Sequence, residues 1–332
     1  METVMAVLTP RWILVYEGKN ITAPITPYVL SVRYTDHLEG QSDEVEIVVE
    51  DSAQRWKNAW YPQKGDQLNL QIGYENDPNG LMPCGDFQVD QVEMAGPPDT
   101  VTIRGLAAAI TPALRTRKSK AFENTTLGNI AQAVAAQYGY SVVGIIEDSP
   151  IARITQNRER DLQFLRRVAA DYGYVFSLRG NRLVFYRRDD LQNNAVIATI
   201  DRKTMTSFSL KDKTSRIYRA AKCSYWDPKT KKLLTAGVSN KGVKGGDTLV
   251  ITERCENRKQ AVAKAKAALQ KANIRQVEGN LTFPGNPLVL AGSNIEVTGM
   301  GQLSDTYMLR QTTHSIDRDG GYATDAEVIS HA

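Results

Sequence analysis

The sequence predicts a mainly β protein of the α+β class, with a small α+β module between two β-rich regions. Three observations predict it. Short segments in the first third alternate apolar and polar residues with a period of two, two glycine-ended helices follow in the middle, and β-rich segments return after residue 200.

The alternation is clearest at Asp43–Asp51, where Val45, Ile47 and Val49 oppose Glu44, Glu46 and Glu50. Gln67–Tyr74 repeats it, with Leu68, Leu70, Ile72 and Tyr74 against Gln67, Asn69 and Gln71. That period gives strands with one buried and one wet face. The turn Asn76-Asp77-Pro78-Asn79-Gly80 leads to a strand around Phe87–Met94, and Pro97-Pro98-Asp99 turns into Val101–Arg104. Short strands separated by turns predict a small barrel or sandwich over residues 1–112.

The character changes at Thr111-Pro112, where a basic connector carries Arg115, Arg117, Lys118 and Lys120. Thr125 or Thr126 can cap a first helix whose inner face is Leu127, Ile130, Val134 and Tyr138, ended by Gly139. A second helix is expected over Arg160–Tyr172, with Leu162, Leu165, Val168 and Tyr172 inward and Gly173 behind it. The ends Val134–Tyr140 and Val168–Tyr174 resemble each other 34 residues apart. Two copies that each lead into β-rich sequence do not make a helical repeat array. Arg179-Gly180-Asn181 joins Val175–Leu178 to Leu183–Tyr186 as a hairpin, so 113–199 read as an α+β module.

Beyond Ile200, strands are expected at Phe208–Leu210, Arg216–Tyr225 and Leu233–Val238, with a turn at Asp227-Pro228-Lys229. One inserted helix near 257–272 follows, then strands at Gln276–Phe283, Asn294–Thr298, Tyr307–Ser315 and Tyr322–Ile329. Residues 200–332 therefore form a second β-domain.

With 332 residues and 42% hydrophobic content, the chain can bury two or three cores. Met1–Pro10 lacks the basic segment of a secretory signal, and no run reaches the roughly 18 apolar residues of a membrane span. The chain is expected to be made and folded in the cytoplasm. Cys84, Cys223 and Cys255 are too few and too scattered for a disulfide framework or zinc site. Net charge is +4, but residues 1–111 carry 7 Lys+Arg against 16 Asp+Glu, whereas 201–275 carry 19 against 6. Such alternation suits complementary contacts between macromolecules, and equally suits solvated faces.

Catalytic chemistry finds little support. His314 neighbours Ser315 on a strand, where adjacent side chains point to opposite faces, so it cannot join Ser315 and Asp317 in a triad. His331 is penultimate and expected to be mobile. Asp317–Gly320 lacks the later ligands of a calcium loop, and no phosphate-cradling glycine motif occurs; Lys244-Gly245-Gly246-Asp247 is a turn. Glu147-Asp148 and Asp189-Asp190 fall at element ends, as solvated loops do. Basic Arg216, Arg219 and Lys222 beside Tyr218, Tyr225 and Trp226 could meet a nucleic acid, but no recognised module contains them, and no specific nucleic-acid partner is expected.

Several stretches resemble the phage late control protein D family. They are Arg115–Ile130, Gln156–Ala169 with Tyr172–Phe176, the loop Phe283-Pro284-Gly285-Asn286-Pro287, Leu290–Gly292, Val297–Gly299 and Tyr307–Ser315. In this order they cover essentially the whole chain. The resemblance implies a structural tail hub without enzymatic activity, cofactor or metal. It implies two tube-type antiparallel β-barrel domains per subunit, 1–112 and 200–332, around the 113–199 module. Three subunits would then form a pseudo-six-fold ring between the hexameric tail tube and a trimeric spike. The tail tube, spike, tape measure and baseplate wedge proteins are the implied partners, in a virion or tail-like particle, with no stable membrane insertion. Lys211, Lys213, Arg216 and Arg219 are the candidate subunit-interface charges, facing acidic first barrels. Alternatives are a type VI-like secretion spike component and a tail-associated cell-wall hydrolase.

Overall fold

The computed structural model describes residues 8–78, 80–107, 116–213, 217–227, 230–240, 246–274, 276–319 and 321–331. Arg216, the boundary at Thr111-Pro112 with Arg115, the turn residues Pro228-Lys229 and Lys244-Gly245 lie outside the described residues.

The N-terminal unit holds β1 (Pro10–Tyr16), β2 (Lys19–Asn20), one helical turn α1 (Thr22–Ile25), β3 (Val29–His37), β4 (Glu44–Glu50), β5 (Gln67–Tyr74), β6 (Met82–Ala95) and β7 (Thr100–Leu106). The strands pair in the order β2-β1-β5-β6-β7-β4-β3, all antiparallel. Leu14 of β1 and Val32 of β3, from opposite ends of that order, share one apolar cluster with Val45, Leu70, Phe87 and Ile103. The sheet therefore curls over its own core. Alternation in β4 and β5 puts Val45, Ile47, Val49, Leu68, Leu70 and Ile72 inside, as their period dictates. Gly105 lets the core close, because a Cβ there would press on Val45, Leu68 and Phe87.

The middle segment holds β8 (Lys118–Thr125), α2 (Leu127–Tyr138), β9 (Ser141–Val143), β10 (Ile151–Glu159), α3 (Asp161–Asp171), β11 (Tyr174–Arg179), β12 (Arg182–Arg187) and α4 (Arg188–Gln192). Thr126 caps α2 by accepting the Asn129 N–H at 3.2 Å, and Gly139 ends it at φ 69°. Leu127, Ile130 and Val134 meet Phe164, Leu165 and Val168 of α3 over the β11–β12 hairpin. The basic connector continues into β8, a strand paired with β10. Both lie largely exposed, so neither carries an apolar alternation.

The remainder holds β13 (Val196–Asp201), β14 (Ser207–Asp212), β15 (Tyr218–Asp227), β16 (Lys232–Ser239), β17 (Asp247–Thr252), α5 (Arg258–Asn273), β18 (Val277–Pro284), β19 (Asn294–Thr298), β20 (Asp305–Asp317) and β21 (Gly321–Ser330). Strands run β14-β18-β21-β20, and β20 also carries β19 and then β13. Ile200, Leu281, Phe283, Val297, Tyr307 and Val328 form their shared core. β20 serves two neighbours along one edge. Its first residues pair with β19, and Gln311–Asp317 pair with His37–Ser31 of β3. An irregularity between Leu309 and Gln311 marks the change. The two large sheets are thus one continuous sheet through the β3–β20 ladder.

Besides the two strands and the helix expected between β14 and β18, the segment supplies a third strand, β17, and sets all three apart from the second sheet. β16-β15-β17 form a separate sheet, and α5 covers one face through Ala261, Ala265 and Leu269 against Ala221, Cys223, Tyr225 and Ala236. This layer docks on the middle segment. Glu256 accepts the Ala152 and Arg153 N–H groups at 2.7 and 2.9 Å, Gln260 donates to the Pro150 carbonyl at 2.9 Å, and Lys266 pairs with Asp189 at 2.6 Å.

Candidate functional site

Two kinds of place in this molecule can do work: the free edges of the sheets and the buried junction between its units. At the first, β14 pairs only with β18 among the described residues, which leaves its other edge of N–H and C=O groups without a strand partner among them. Among the described residues β13 likewise pairs only with β19. Residues 202–206 link the two, so these edges start close together. Val196, Ile197 and Phe208 are exposed there, and the Arg202 guanidinium lies 4.4 Å from the Phe208 ring centroid.

The structure distributes the candidate interface charges over two sheets. Lys211 is exposed on β14, and Lys213 follows it, paired with Glu278 of β18. Arg219 is exposed on β15 of the separate sheet. Other lysines of the basic stretch are met within the chain: Lys264 lies 3.5 Å from Glu253 and 3.8 Å from Asp171, and Lys266 bonds Asp189.

The junction brings together residues far apart in sequence. Asp36 of β3 is fully buried; its Oδ1 accepts from Arg179 Nη2 of β11 at 3.0 Å, and its Oδ2 accepts the Ala291 N–H at 2.9 Å. Asp43 hydrogen-bonds Asp36 and accepts the His37 N–H at 3.0 Å. Burial pushes the Asp36 carboxyl up to about 6, with Arg179 opposing and Asp43 reinforcing the shift, so the pair holds a proton more firmly than a free carboxylate does. Arg188 reaches Glu39 at 3.1 Å, and Asn294 Nδ2 donates to the Leu191 and Asn194 carbonyls. Three segments of the chain are thereby fixed to one another by groups that cannot be left unpaired.

His314 belongs to this joint. It is fully buried, with Nε2 3.0 Å from the Val289 carbonyl and Nδ1 2.8 Å from the Tyr322 hydroxyl. Burial pushes its imidazole down to about 4, so the ring is neutral; Nε2–H donates to Val289 and Nδ1 accepts from Tyr322. It stacks on Tyr34, its register partner on β3. Tyr74 of the first unit packs on Tyr322, 5.1 Å between centroids, and donates to the Gly285 carbonyl at 2.9 Å. A Cβ on Gly285 would fall within the Tyr322 ring, which explains the glycine of the Phe283–Pro287 loop. His331, expected to be mobile, lies 3.2 Å through Nε2 from Asn294 Oδ1. Among the described residues no group of three His, Cys, Asp or Glu side chains is arranged to hold a metal, and no helix is long and apolar enough to cross a membrane.

The sequence reading did not find the Asp36–Asp43–Arg179 cluster. Its members lie in unrelated segments, and only the alternation break at Asp36-His37, two polar residues buried side by side, marks the place.

This architecture has known counterparts. The model of the family described as phage tail baseplate hub (GPD) matches residues 84–320. The chain belongs to the phage tail baseplate hub family. Relatives from Escherichia phages 186 and P2, each described as a probable baseplate hub protein, are 28% and 31% identical over 182 residues. That match covers 54% of this chain and 46% of each relative, so the matching region spans about half the relatives' length. Among solved structures, a 43 kDa tail protein of prophage MuSo2 from Shewanella oneidensis is similar with a TM-score of 0.72 at 16% identity, covering 97% of this chain and 98% of that one. An E. coli component of the type VI secretion system is similar with a TM-score of 0.58 at 12% identity, covering 92% of this chain and 74% of that one. These structural likenesses show the fold: mainly β, with large antiparallel sheets.

Proposed function

We propose that this hub protein acts mechanically, as a ring of three copies that adapts a six-fold tail tube to a three-fold spike. The observation that carries the reading is the doubled sheet. One chain builds a curled antiparallel sheet and a second, largely antiparallel one in which only β13 and β19 run parallel, joined edge to edge through β3 and β20; we read them as two tube-type barrels, so three chains present six. The free edges at β13 and β14 would extend pairing to the next subunit, and Lys211, Lys213, Arg216 and Arg219 would face its acidic N-terminal unit. Tube, spike, tape measure and wedge proteins are the partners of such a ring, assembled in the bacterial cytoplasm into a baseplate. Its residues position and transmit load; none performs bond chemistry.

Light-scattering mass of the purified chain, followed by imaging down the symmetry axis, tests this. A mass three times that of the chain and a pseudo-six-fold ring are expected, and reversing the four charges should weaken the ring most at low salt. A chain that stays monomeric when mixed with its spike would sink the reading.

A second reading, a type VI-like spike component, is favoured by the likeness to the E. coli secretion component. Co-purification with a secretion-system tube in place of a phage tail tube would select it.

A further inference from the structure

Cys223 and Cys255 are two thiols for which the ring has no use. They come from different elements, Cys223 from the middle of β15 and Cys255 from the irregular stretch between β17 and α5. Both are buried, and their sulfurs lie 3.7 Å apart although the residues are 32 positions apart in sequence. A disulfide brings its sulfurs to about 2.05 Å, so the pair is about 1.7 Å short of bonding distance. β15 is held on both edges by β16 and β17 and yields little. Cys255 lies in no strand or helix and can supply the movement. Cys84, in the N-terminal unit, has the Met82 carbonyl at 3.8 Å from its sulfur, and so serves as an internal control.

We infer that Cys223 and Cys255 form a modification site, closing to an intramolecular disulfide by exchange with a small disulfide of the glutathione class. The Cys255 thiolate attacks one sulfur of the small disulfide, forming a mixed disulfide and releasing one small thiol. The Cys223 thiolate then attacks the Cys255 sulfur and displaces the second small thiol. Two protein thiols give up two hydrogens and two electrons, and one small disulfide becomes two thiols. Burial beside Cys223 pushes the Cys255 thiol up to about 12, so thiolate is scarce at neutral pH and the exchange quickens as pH rises.

The bond has a structural consequence. Cys255 directly precedes Glu256, whose carboxylate receives the Ala152 and Arg153 N–H groups of β10. Tying Cys255 to the central strand of the separate sheet fixes that carboxylate, and with it the seam between this layer and the middle segment. The site stands apart from the ring reading and is tested without reference to it.

The reduced full chain is incubated with oxidised glutathione at about pH 8, under native conditions and in parallel in denaturant. The folded chain should lose two of its three titratable thiols and two hydrogens of mass, and proteolysis should yield a cross-linked peptide joining residues 223 and 255. Amide exchange at Ala152 and Arg153 should slow and recover on reduction. Cys84→Ser should behave alike, whereas Cys255→Ser should form no internal cross-link. Three free thiols in the folded sample, or modification of Cys84 in place of the pair, would overturn the assignment.

Discussion

The N-terminal unit and the layer formed by β15–β17 and α5 solve the same problem with different materials. The first buries Tyr34, Trp56, Phe87 and a run of Val, Ile and Leu within one curled sheet. The second fills its core with Ala221, Ala236, Ala261 and Ala265, two cysteines, Tyr225 and Leu269, and relies on carboxylate, amide and lysine contacts to hold it to the middle segment. Its other sheet face leaves Trp226, Leu233 and Val250 exposed. A large apolar core stabilises a unit from within; a thin core with a polar seam leaves stability to depend on the neighbour.

The strongest way to break this comparison is to truncate each core. Phe87→Ala should cost about 3–5 kcal/mol in denaturant unfolding, because the ring is fully buried. Leu269→Ala should fall near the lower end of the range for such deletions, about 2 kcal/mol. An equal loss at both sites would erase the distinction. Gly285→Ala comes next. It forces the Phe283–Pro287 loop off the Tyr322 ring and should cost about 1–3 kcal/mol, seen as a lower thermal midpoint.

The buried acid pair sharpens the contrast through pH. Because the Asp36 carboxyl is raised to about 6, the folded chain holds its proton over a range where the unfolded chain has released it. The stability it contributes is full below about pH 4 and lost as pH rises through about 6. Asp43→Asn keeps an oxygen for the His37 N–H and removes the like charge. The difference in unfolding free energy between pH 5 and pH 8 should narrow by about 1 kcal/mol. A slope unchanged by the substitution would remove the pair as its source. The smallest effect is expected at the polar seam. Glu256→Ala leaves the Ala152 and Arg153 amides to water, costs about 1 kcal/mol, and should speed their hydrogen exchange while the amides of β4 stay protected.

How much of this was legible follows from where each residue's partners lie. β4, β5 and the β11–β12 hairpin were visible because their alternation and turns are local, and α2, α3 and α5 because caps and apolar spacing are written into a dozen residues. β3 escaped notice: it pairs with β4 on one side and β20 on the other, and its burial follows no clean period of two. β8 and β10 escaped for the opposite reason, having little buried face to mark. Of the candidate interface charges, Lys211 and Lys213 share an edge and Arg219 does not, a separation set by the β14–β18 pairing and invisible in linear order. The docking of α5 on the middle segment was equally hidden, since Glu256 and Ala152 are 104 positions apart.

The shared strand β20 has a consequence for how the molecule would bear a load. Gln311–Asp317 run antiparallel to Ser31–His37 in an unbroken register, so a thrust directed along these strands shears the whole ladder at once. Its hydrogen bonds then bear load in parallel, whereas a pull across the strands would open them one after another like a zip. The axis along which the two sheets resist separation most is therefore the strand direction.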